Sequence, residues 1–320
     1  MPSILTHYGF NKELFDNNIK FLKDNEDIYL VGAQGPDPFF FYGIIPFLKE
    51  KNSKAVREFG KFIHKTDPKE QFEFFFEYAD KSKNKDVLYA YILGAGLHYI
   101  LDRKIHPYVF YKTGFSDDKK MKVKYFADHT LFETHLDVLL MNNRYQKYKV
   151  QNVESIKCKD NKVEDVSEMY GSLAKNILKV DDLDDESFEN SYEHMCVIEK
   201  ILYSKTGVKK WFAKVFAKNT PFNTMMQPLT VSDDTKIDYL NLNKKEWKDP
   251  STGVVYKKDF YELLDEAKEE SVLWMKLVDE RYNGKKINLE NFTKGYIYDG
   301  NKLGENMKVF ESVFERGKGE

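Results

Sequence analysis

Two short segments of the 320-residue sequence each place a histidine four residues before a carboxylate. The first pair is His98 and Asp102, and the second is His129 and Glu133. Because an α-helix returns to the same face about every 3.6 residues, each pair would share one helical face. Imidazole and carboxylate are ligands of catalytic Zn²⁺, whereas structural zinc sites are usually rich in cysteine thiolate. The spacing therefore indicates a catalytic metal site between two helices.

Such pairs also occur by chance, as exposed ion pairs that contribute only about 0.3–0.5 kcal/mol each. Here both pairs lie in apolar surroundings, with residues 90–93 before the first and Phe132 and Leu136 beside the second. A polar group beside an apolar face needs a partner, and a metal ion supplies one. From spacing alone, surface ion pairing and metal binding both stay open.

Further histidines and carboxylates occur in a fixed order in the same part of the chain. They are His7 in the opening Met1–Tyr8, Asp37 in the segment Gly32–Phe39, a lone His64, and His106 in His106-Pro107-Tyr108. With the two pairs, this order resembles the zinc-dependent phospholipase C family, which shares an all-helical fold with single-strand-specific zinc nucleases. The resemblance covers about the first 140 residues.

The resemblance implies two or three bound Zn²⁺ ions. The implied ligands are His64, His98 and Asp102 for one ion, His106, His129 and Glu133 for a second, and His7 with a shared Asp102 for a third. Asp37 resembles the carboxylate beside the reacting water, as catalytic base or outer ligand.

The sequence departs from the pattern of the secreted members in two ways. Those members complete the third site with a processed amino terminus, usually tryptophan, whereas this chain begins at Met1 with no tryptophan nearby. The interval from Asp102 to His106 is four residues, where the secreted enzymes commonly have six. Pro107 follows directly, and proline disfavours the helical conformation of the residue before it. We therefore expect the helix to end near His106.

Helical periodicity covers most of the chain and predicts an all-α fold, with residues 1–320 as a single multi-helix domain and the metal site between helices. The site motifs fall in 1–140 and a helical remainder in 141–320. The predicted helices are 11–23, 53–65, 68–81, 86–104, 123–142, 163–179, 187–204, 207–218, 257–282 and 305–316. The segment 257–282 is the longest of them and should cover the core. Only short segments such as Gly253–Tyr256 look like strand, too few for an appended β-sandwich.

Composition limits the functions that the chain can have. A formal charge of −2 and a pI near 6.4 provide no basic excess for a nucleic-acid backbone, which argues against a nuclease. The two cysteines, Cys158 and Cys196, lack metal-ligand spacing and should be ordinary buried thiols. No leader precedes the motifs, and no apolar run approaches 18 residues. We therefore expect a cytoplasmic protein.

Aromatic residues cluster in two places. The run Phe39-Phe40-Phe41-Tyr42 follows Asp37, and we expect at least two of its rings in the core and one or two in a pocket wall. In the second cluster, Phe72, Phe75 and Phe76 share one helical face, which favours core packing. His135 and His194 match no family position and should be hydrogen-bonded polar residues.

The ligand residues and the resemblance together predict a zinc-dependent hydrolase of the phospholipase C type that cleaves a phosphodiester. The resemblance implies that this ester is that of a phospholipid headgroup. The partners of the hydrolase would be the phosphodiester or phospholipid substrate and, transiently, a membrane surface, with nucleic acid disfavoured. Two alternatives stay open: a single-strand nuclease with the same fold, and a non-catalytic metal-binding helical protein.

Overall fold

The computed structural model describes residues 4–314, except 46–47, 49, 117, 149–156, 159–160, 181–182, 203–236 and 309. Within these residues the helices are α1 Ile4–Leu14, α2 Glu26–Gly32, α3 Ser53–Ile63, α4 Pro68–Lys81, α5 Lys85–Thr113, α6 Lys119–Asn142, α7 Lys162–Leu173, α8 Ser187–Leu202, α9 Phe260–Tyr282 and α10 Glu290–Thr293. Short 3-10 turns lie at Lys20–Leu22, Asp37–Phe41 and Gln146–Tyr148, and a π-helical turn at Ala174–Leu178. The strands β1 Trp247–Lys248 and β2 Val255–Tyr256 pair antiparallel. The predicted all-α fold class is confirmed.

Helix α5 lies at the centre of this arrangement. Along most of its length, residues on all sides of the helix are buried. A helix without a polar face must be enclosed by other elements, and α2, α4, α6 and α9 pack against it. Because α9 comes from the carboxyl-terminal part of the chain, that part contributes to the same core. The single domain 1–320 stays a prediction.

Two glycines allow α2 to cross α5 at close range. A Cβ atom at Gly94 would overlap the carbonyl of Tyr29, and one at Gly32 would overlap the carbonyl of Tyr91. Backbone atoms cannot move aside as a side chain can, so these positions exclude any larger residue without a shift of the helices. The crossing sets where the chain leaves α2 and turns towards Asp37.

The peripheral helices bury one face each, as their periodicity predicts. In α4, Asp67 caps the first turn by accepting a hydrogen bond from Lys69 N, and Phe72, Phe75 and Phe76 are buried. Helix α9 starts with a capping box at Asp259 and covers the core through residues such as Trp274. No helix within the described ranges combines the length and apolar character needed to cross a bilayer.

Several predicted boundaries are wrong. The first helix is Ile4–Leu14 rather than 11–23, so His7 lies in a helix and not in a loop. The described residues of 305–316 form no helix, and Phe310 instead pairs with Phe115 in an isolated bridge. Helix α2 was not predicted because seven residues are too few for a clear periodic pattern. The predicted helix 207–218 lies outside the described residues.

The prediction that the helix ends near Pro107 is also wrong. The proline lies inside α5, which continues to Thr113 and is therefore the longest described helix, not 257–282. Proline cannot donate a hydrogen bond to the carbonyl of Arg103. Gly300 packs here, and an added Cβ atom would lie 2.6 Å from Pro107 Cγ and 2.9 Å from Arg103 O. We infer that burial against this segment offsets the local cost of the proline.

A carboxylate from α6 holds the first turn of α1. Asp137 accepts hydrogen bonds from Leu5 N at 3.0 Å, Thr6 N at 2.7 Å and Thr6 Oγ1 at 2.6 Å. The first N–H groups of a helix have no partner within that helix, so Asp137 acts as a cap supplied from another helix. This contact fixes the turn of α1 that carries His7 against α6.

Burial raises the pKa of Asp137 to about 7, although the hydrogen bonds from Thr6 and Leu5 oppose the shift. An aspartate in an unfolded chain titrates near about 3.9. Between these values the folded protein holds a proton that the unfolded chain releases, so this contribution to stability is complete below about pH 4 and is lost as pH rises to about 7.

We therefore predict that the difference in unfolding free energy between the wild type and Asp137→Asn changes with pH. Relative to the variant, the wild type should lose stability from pH 5 to 7, by at most about 1.4 kcal/mol per pH unit. Urea unfolding of both proteins at fixed zinc concentration measures the two unfolding free energies. Groups that titrate in both proteins contribute equally and cancel in the difference. A difference that is constant over this range would contradict the assigned proton.

Candidate metal centre

The eight residues singled out in the sequence come together around the carboxyl half of α5. We call them the metal-site cluster: His7 from α1, Asp37 from the 3-10 turn after α2, His64 directly after α3, His98, Asp102 and His106 from α5, and His129 and Glu133 from α6. Each is at most 9% exposed. Such burial of so many ionisable groups requires mutual pairing or a bound cation.

Within the described residues, the ligand atoms of the cluster form three groups whose members lie within 4.8 Å of one another. The groups are His7, His98 and Asp102; Asp37, His64 and His98; and His106, His129 and Glu133. The last group is the one that the resemblance implies for the second ion. In the first group His7 lies with the shared Asp102 as implied, and His98 joins them. The second group differs from the implied set, because Asp37 takes the place of Asp102 beside His64 and His98.

Asp102 is the carboxylate that touches most of the cluster. Its Oδ1 lies 3.0 Å from His7 Nε2 and 3.7 Å from His106 Nε2, and its Oδ2 lies 3.2 Å from His98 Nε2. A carboxylate with histidines at both oxygens has the geometry to bridge two ions. Asp37 contacts two histidines, with Oδ1 3.0 Å from His64 Nε2 and the more distant Oδ2 3.8 Å from His98 Nε2.

Backbone carbonyls set the orientation of three imidazole rings. The Nδ1 atoms of His64, His98 and His106 lie 2.6, 3.0 and 2.9 Å from carbonyl oxygens of Gly60, Ala33 and Tyr298. A carbonyl oxygen only accepts, so each Nδ1 must donate. In a neutral ring this leaves the lone pair on Nε2, which is the arrangement of metal-bound histidines.

This orientation makes the close nitrogen–oxygen contacts depend on a cation. A neutral His98 that donates from Nδ1 presents the Nε2 lone pair to the lone pairs of Asp102, and His64 faces Asp37 in the same way. Two lone pairs at about 3 Å repel each other unless a proton or a metal ion lies between them. The contacts are thus favourable only when a shared cation is bound.

Unpaired buried atoms support a metal over protons. Within the described part of the chain, six buried side-chain atoms of the cluster have no hydrogen-bond partner: His7 Nδ1 and Nε2, Asp37 Oδ2, His98 Nε2, Asp102 Oδ1 and Glu133 Oε2. A buried polar atom without a partner destabilises the fold by about 1–3 kcal/mol. Imidazole nitrogens and carboxylate oxygens without thiolate match a catalytic zinc site, so the residues fit that metal.

The charges of the protein groups also suit a cation. Burial alone would raise the pKa of Asp102, but His106, His98 and His7 outweigh it and hold this pKa well below the usual range. Burial opposes the same change at Glu133, where His129 and His106 lower the pKa to about 2. Both carboxylates are therefore ionised at neutral pH.

The histidines respond to these carboxylates in different ways. Burial, followed by the neighbouring His98, lowers the pKa of His7, so this ring is neutral at pH 7 and available as a ligand. Burial would also lower the pKa of His106, but Asp102 and Glu133 raise it to about 10. A metal ion at His106 must therefore displace a proton.

The cluster opens into a cleft of about 230 Å³, which we call the site cleft. Its lining includes Asp37, His64, Asp102, His106 and His129 from the cluster, the aromatic residues Phe40, Phe110, Phe115, Tyr125 and Phe126, and Lys61, Lys65, Lys122 and Asp299. Of the run that follows Asp37, Phe39, Phe41 and Tyr42 are buried and only Phe40 lines the cleft. This confirms the expected division between core and wall.

A comparison with protein-family models identifies the family of the chain. The model for zinc-dependent phospholipase C matches residues 4–181, which include the whole metal-site cluster. The chain belongs to this family. No curated protein and no solved structure matches the sequence. Membership in the zinc-dependent phospholipase C family agrees with the all-α fold and identifies zinc as the metal that the cluster would hold.

Other polar residues behave as the sequence indicates, but one support was missed. His194 Nδ1 accepts a hydrogen bond from Gly43 N. Neither Cys158 nor Cys196 is in a disulfide, but both are only partly buried, so the expectation of buried thiols is wrong in that respect. The Tyr298 carbonyl that orients His106 lies 192 residues further along the chain, outside the family match. No local pattern could have indicated it. Ala33, by contrast, lies within the segment that carries Asp37.

Removing metal should destabilise the protein. Loss of the shared cation leaves the buried lone pairs facing each other, so we expect EDTA treatment to lower the unfolding midpoint by roughly 5–10 °C. Calorimetry measures the shift, and restoration by Zn²⁺ but not by Mg²⁺ would show that the ion prefers imidazole ligands. An unchanged midpoint in protein shown to be zinc-free would contradict the role of the cation.

Replacement of Asp102 should remove more zinc from the protein than replacement of Asp37. Asp102→Asn should remove about two ions and Asp37→Asn about one, because Asp102 contacts His7, His98 and His106 whereas Asp37 contacts His64 and His98. Elemental analysis of the purified variants measures this. Asp299→Asn, at the cleft but outside the three groups, is the control and should keep wild-type zinc. Equal zinc in all three variants would rule out the assigned ligands.

Proposed function

We propose that the chain is a zinc-dependent phosphodiesterase of the phospholipase C type, which hydrolyses the headgroup ester of a phospholipid. The observation that carries this proposal is that the metal-site cluster, with its unpaired buried nitrogen and oxygen atoms, lines one wall of an open cleft. A structural metal site would be closed on all sides, whereas a catalytic site leaves room for water and substrate.

Bound zinc would supply a Lewis acid that neutralises phosphate charge and lowers the pKa of a water molecule to about 7. The residues of the chain hold and orient the reactants. Asp37 lines the cleft, and its Oδ2 has no hydrogen-bond partner among the described residues, so it can accept a proton from the attacking water. Its Oδ1 stays in contact with His64. Asp37 therefore combines the two roles suggested by the sequence, ligand and base.

The aromatic wall supports a substrate with an apolar part. Phe110 lies between His129, at 5.0 Å between ring centroids, and Phe115, at 6.0 Å. Phe40 packs on His64 at 5.2 Å. These rings extend from the ligands into the cleft, so a lipid glycerol and the start of its acyl chains could contact them while the phosphate lies at the cluster. The cytoplasmic location and the transient membrane contact stay predictions from the sequence.

A substrate panel tests the proposed function. We predict that zinc-loaded protein releases p-nitrophenol from bis(p-nitrophenyl) phosphate and phosphorylated headgroup from short-chain phospholipids. Chelation and Asp102→Asn should each lower turnover by at least about 100-fold. Single-stranded DNA is the comparison substrate.

The outcomes separate the alternatives. Cleavage of DNA without cleavage of phospholipid would identify a nuclease. Zinc-loaded protein that cleaves no diester at all would favour the non-catalytic metal-binding protein.

A further inference from the structure

The site cleft carries a charge that the metal-site cluster does not explain. Lys61 and Lys65 lie at the carboxyl end of α3 and just beyond it, and Lys122 lies in the first turns of α6. All three line the cleft and are exposed. Lys61 and Lys65 come from one element and Lys122 from another, and all three are exposed whereas the cluster is buried. The lysines therefore lie at the solvent side of the cleft, which we call its mouth.

Few acids offset these lysines. Lys61 Nζ contacts Glu58 Oε1 at 2.7 Å, but both side chains are more than half exposed, so solvent weakens this pair. Within the described residues, neither Lys65 nor Lys122 forms an ion pair. Apart from the cluster, Asp299 is the acid among the residues that line the cleft. Outside the cluster, whose carboxylates would be compensated by bound zinc, the lining of the cleft thus has three lysines and one acid.

The aromatic rings of the cleft could bind several kinds of headgroup, and the lysines favour some of these over others. Aromatic rings can bind a quaternary ammonium group by cation–π attraction. Here the lysines would repel such a cation, and they would attract a carboxylate or a phosphate at the same place. The mouth of the cleft therefore fits a substrate with a negative group outside the scissile phosphate.

We propose that the site cleft selects phosphodiesters with a second anionic group beside the scissile phosphate, and that Lys61, Lys65 and Lys122 bind that group. The proposal rests on the proposed phosphodiesterase function and names its substrate class. Among phospholipids, the chemistry corresponds to a headgroup with its own carboxylate or phosphate. Phe126, 57% exposed at the same mouth, provides an apolar surface for the lipid part.

The test compares two substrates that differ only in this group. Dihexanoyl-phosphatidylserine and dihexanoyl-phosphatidylethanolamine share the ammonium, and only the first has a carboxylate. Both lipids are used as monomers below their critical micelle concentration, so that binding of the protein to a lipid surface does not affect the measured rates. For zinc-loaded wild type we expect kcat/KM to be about tenfold higher for the serine lipid, because each exposed lysine contributes a modest attraction. The preference for the serine lipid should shrink as salt rises from about 50 to about 500 mM, because the added salt shortens the Debye length and screens the lysines.

Variants locate the effect. A triple variant tests the lysines together and combines Lys61→Gln, Lys65→Gln and Lys122→Gln. It should bring the ratio of the two kcat/KM values close to 1, with zinc content and circular dichroism unchanged. Lys276→Gln, an exposed lysine of α9 that does not line the cleft, is the matched control and should keep the wild-type ratio. A wild-type ratio of 1 or below, or the same ratio in the triple variant as in the wild type, would overturn the proposal.

Failure of the proposed function is detected separately. Hydrolysis of bis(p-nitrophenyl) phosphate by the same preparation reports on diester cleavage alone. If no lipid is cleaved, calorimetric binding of O-phosphoserine and phosphoethanolamine to zinc-loaded protein decides the proposal, with the same expected preference and the same effect of the variants. Cleavage of single-stranded DNA that is lost in the triple variant, without preference between the lipids, would assign the lysines to a nucleic-acid backbone and overturn the proposal.

Discussion

The contact of Asp102 with three histidines is the interaction on which the rest of the site depends. Its carboxylate is buried in the central helix and lies within 3.7 Å of His7, His98 and His106. Burial of a charge is costly unless opposite charges compensate for it, and here the imidazoles and the expected metal provide that compensation. The first helix, the central helix and the turn near Asp37 must all be in place before the carboxylate is satisfied. The fold and the metal site are thus coupled through one side chain.

Support for the cluster comes from residues that are not themselves ligands. Asp137 caps the first turn of α1 through hydrogen bonds from Leu5 and Thr6 and so positions the neighbouring His7. The carbonyl of Tyr298 orients His106 from the carboxyl-terminal part, and Gly300 packs on Pro107, the residue that follows His106. Family membership rests on residues 4–181, yet these supports show that the site also needs residues far beyond that range. Hydrogen bonds and packing contacts to metal ligands of this kind hold the ligands in the orientation that binds the metal.

The site cleft brings together side chains of three kinds. Its lining includes ligands that would hold zinc, aromatic rings and three exposed lysines. The net charge of the whole chain is −2, which argued against a polyanion substrate, but three exposed lysines line the cleft itself. Binding of a charged substrate depends on the electrostatic field near the site more than on the net charge of the whole protein. Charges farther away than a Debye length of about 8–10 Å are screened by salt.

The sequence by itself determined the ligand types, the all-α fold class and the helical face that His98 and Asp102 share, because these follow from local periodicity and residue chemistry. It also indicated the core face of α4, where apolar spacing alone decides burial. The continuation of α5 through Pro107 and the helix that carries His7 depended on tertiary contacts, with Gly300 in one case and Asp137 in the other. The pairing of Asp37 with His64, and the carbonyl of Tyr298, were likewise decided only by the tertiary structure. Such contacts join residues far apart in the chain, and local propensity contains no information about which distant group will satisfy a buried polar atom.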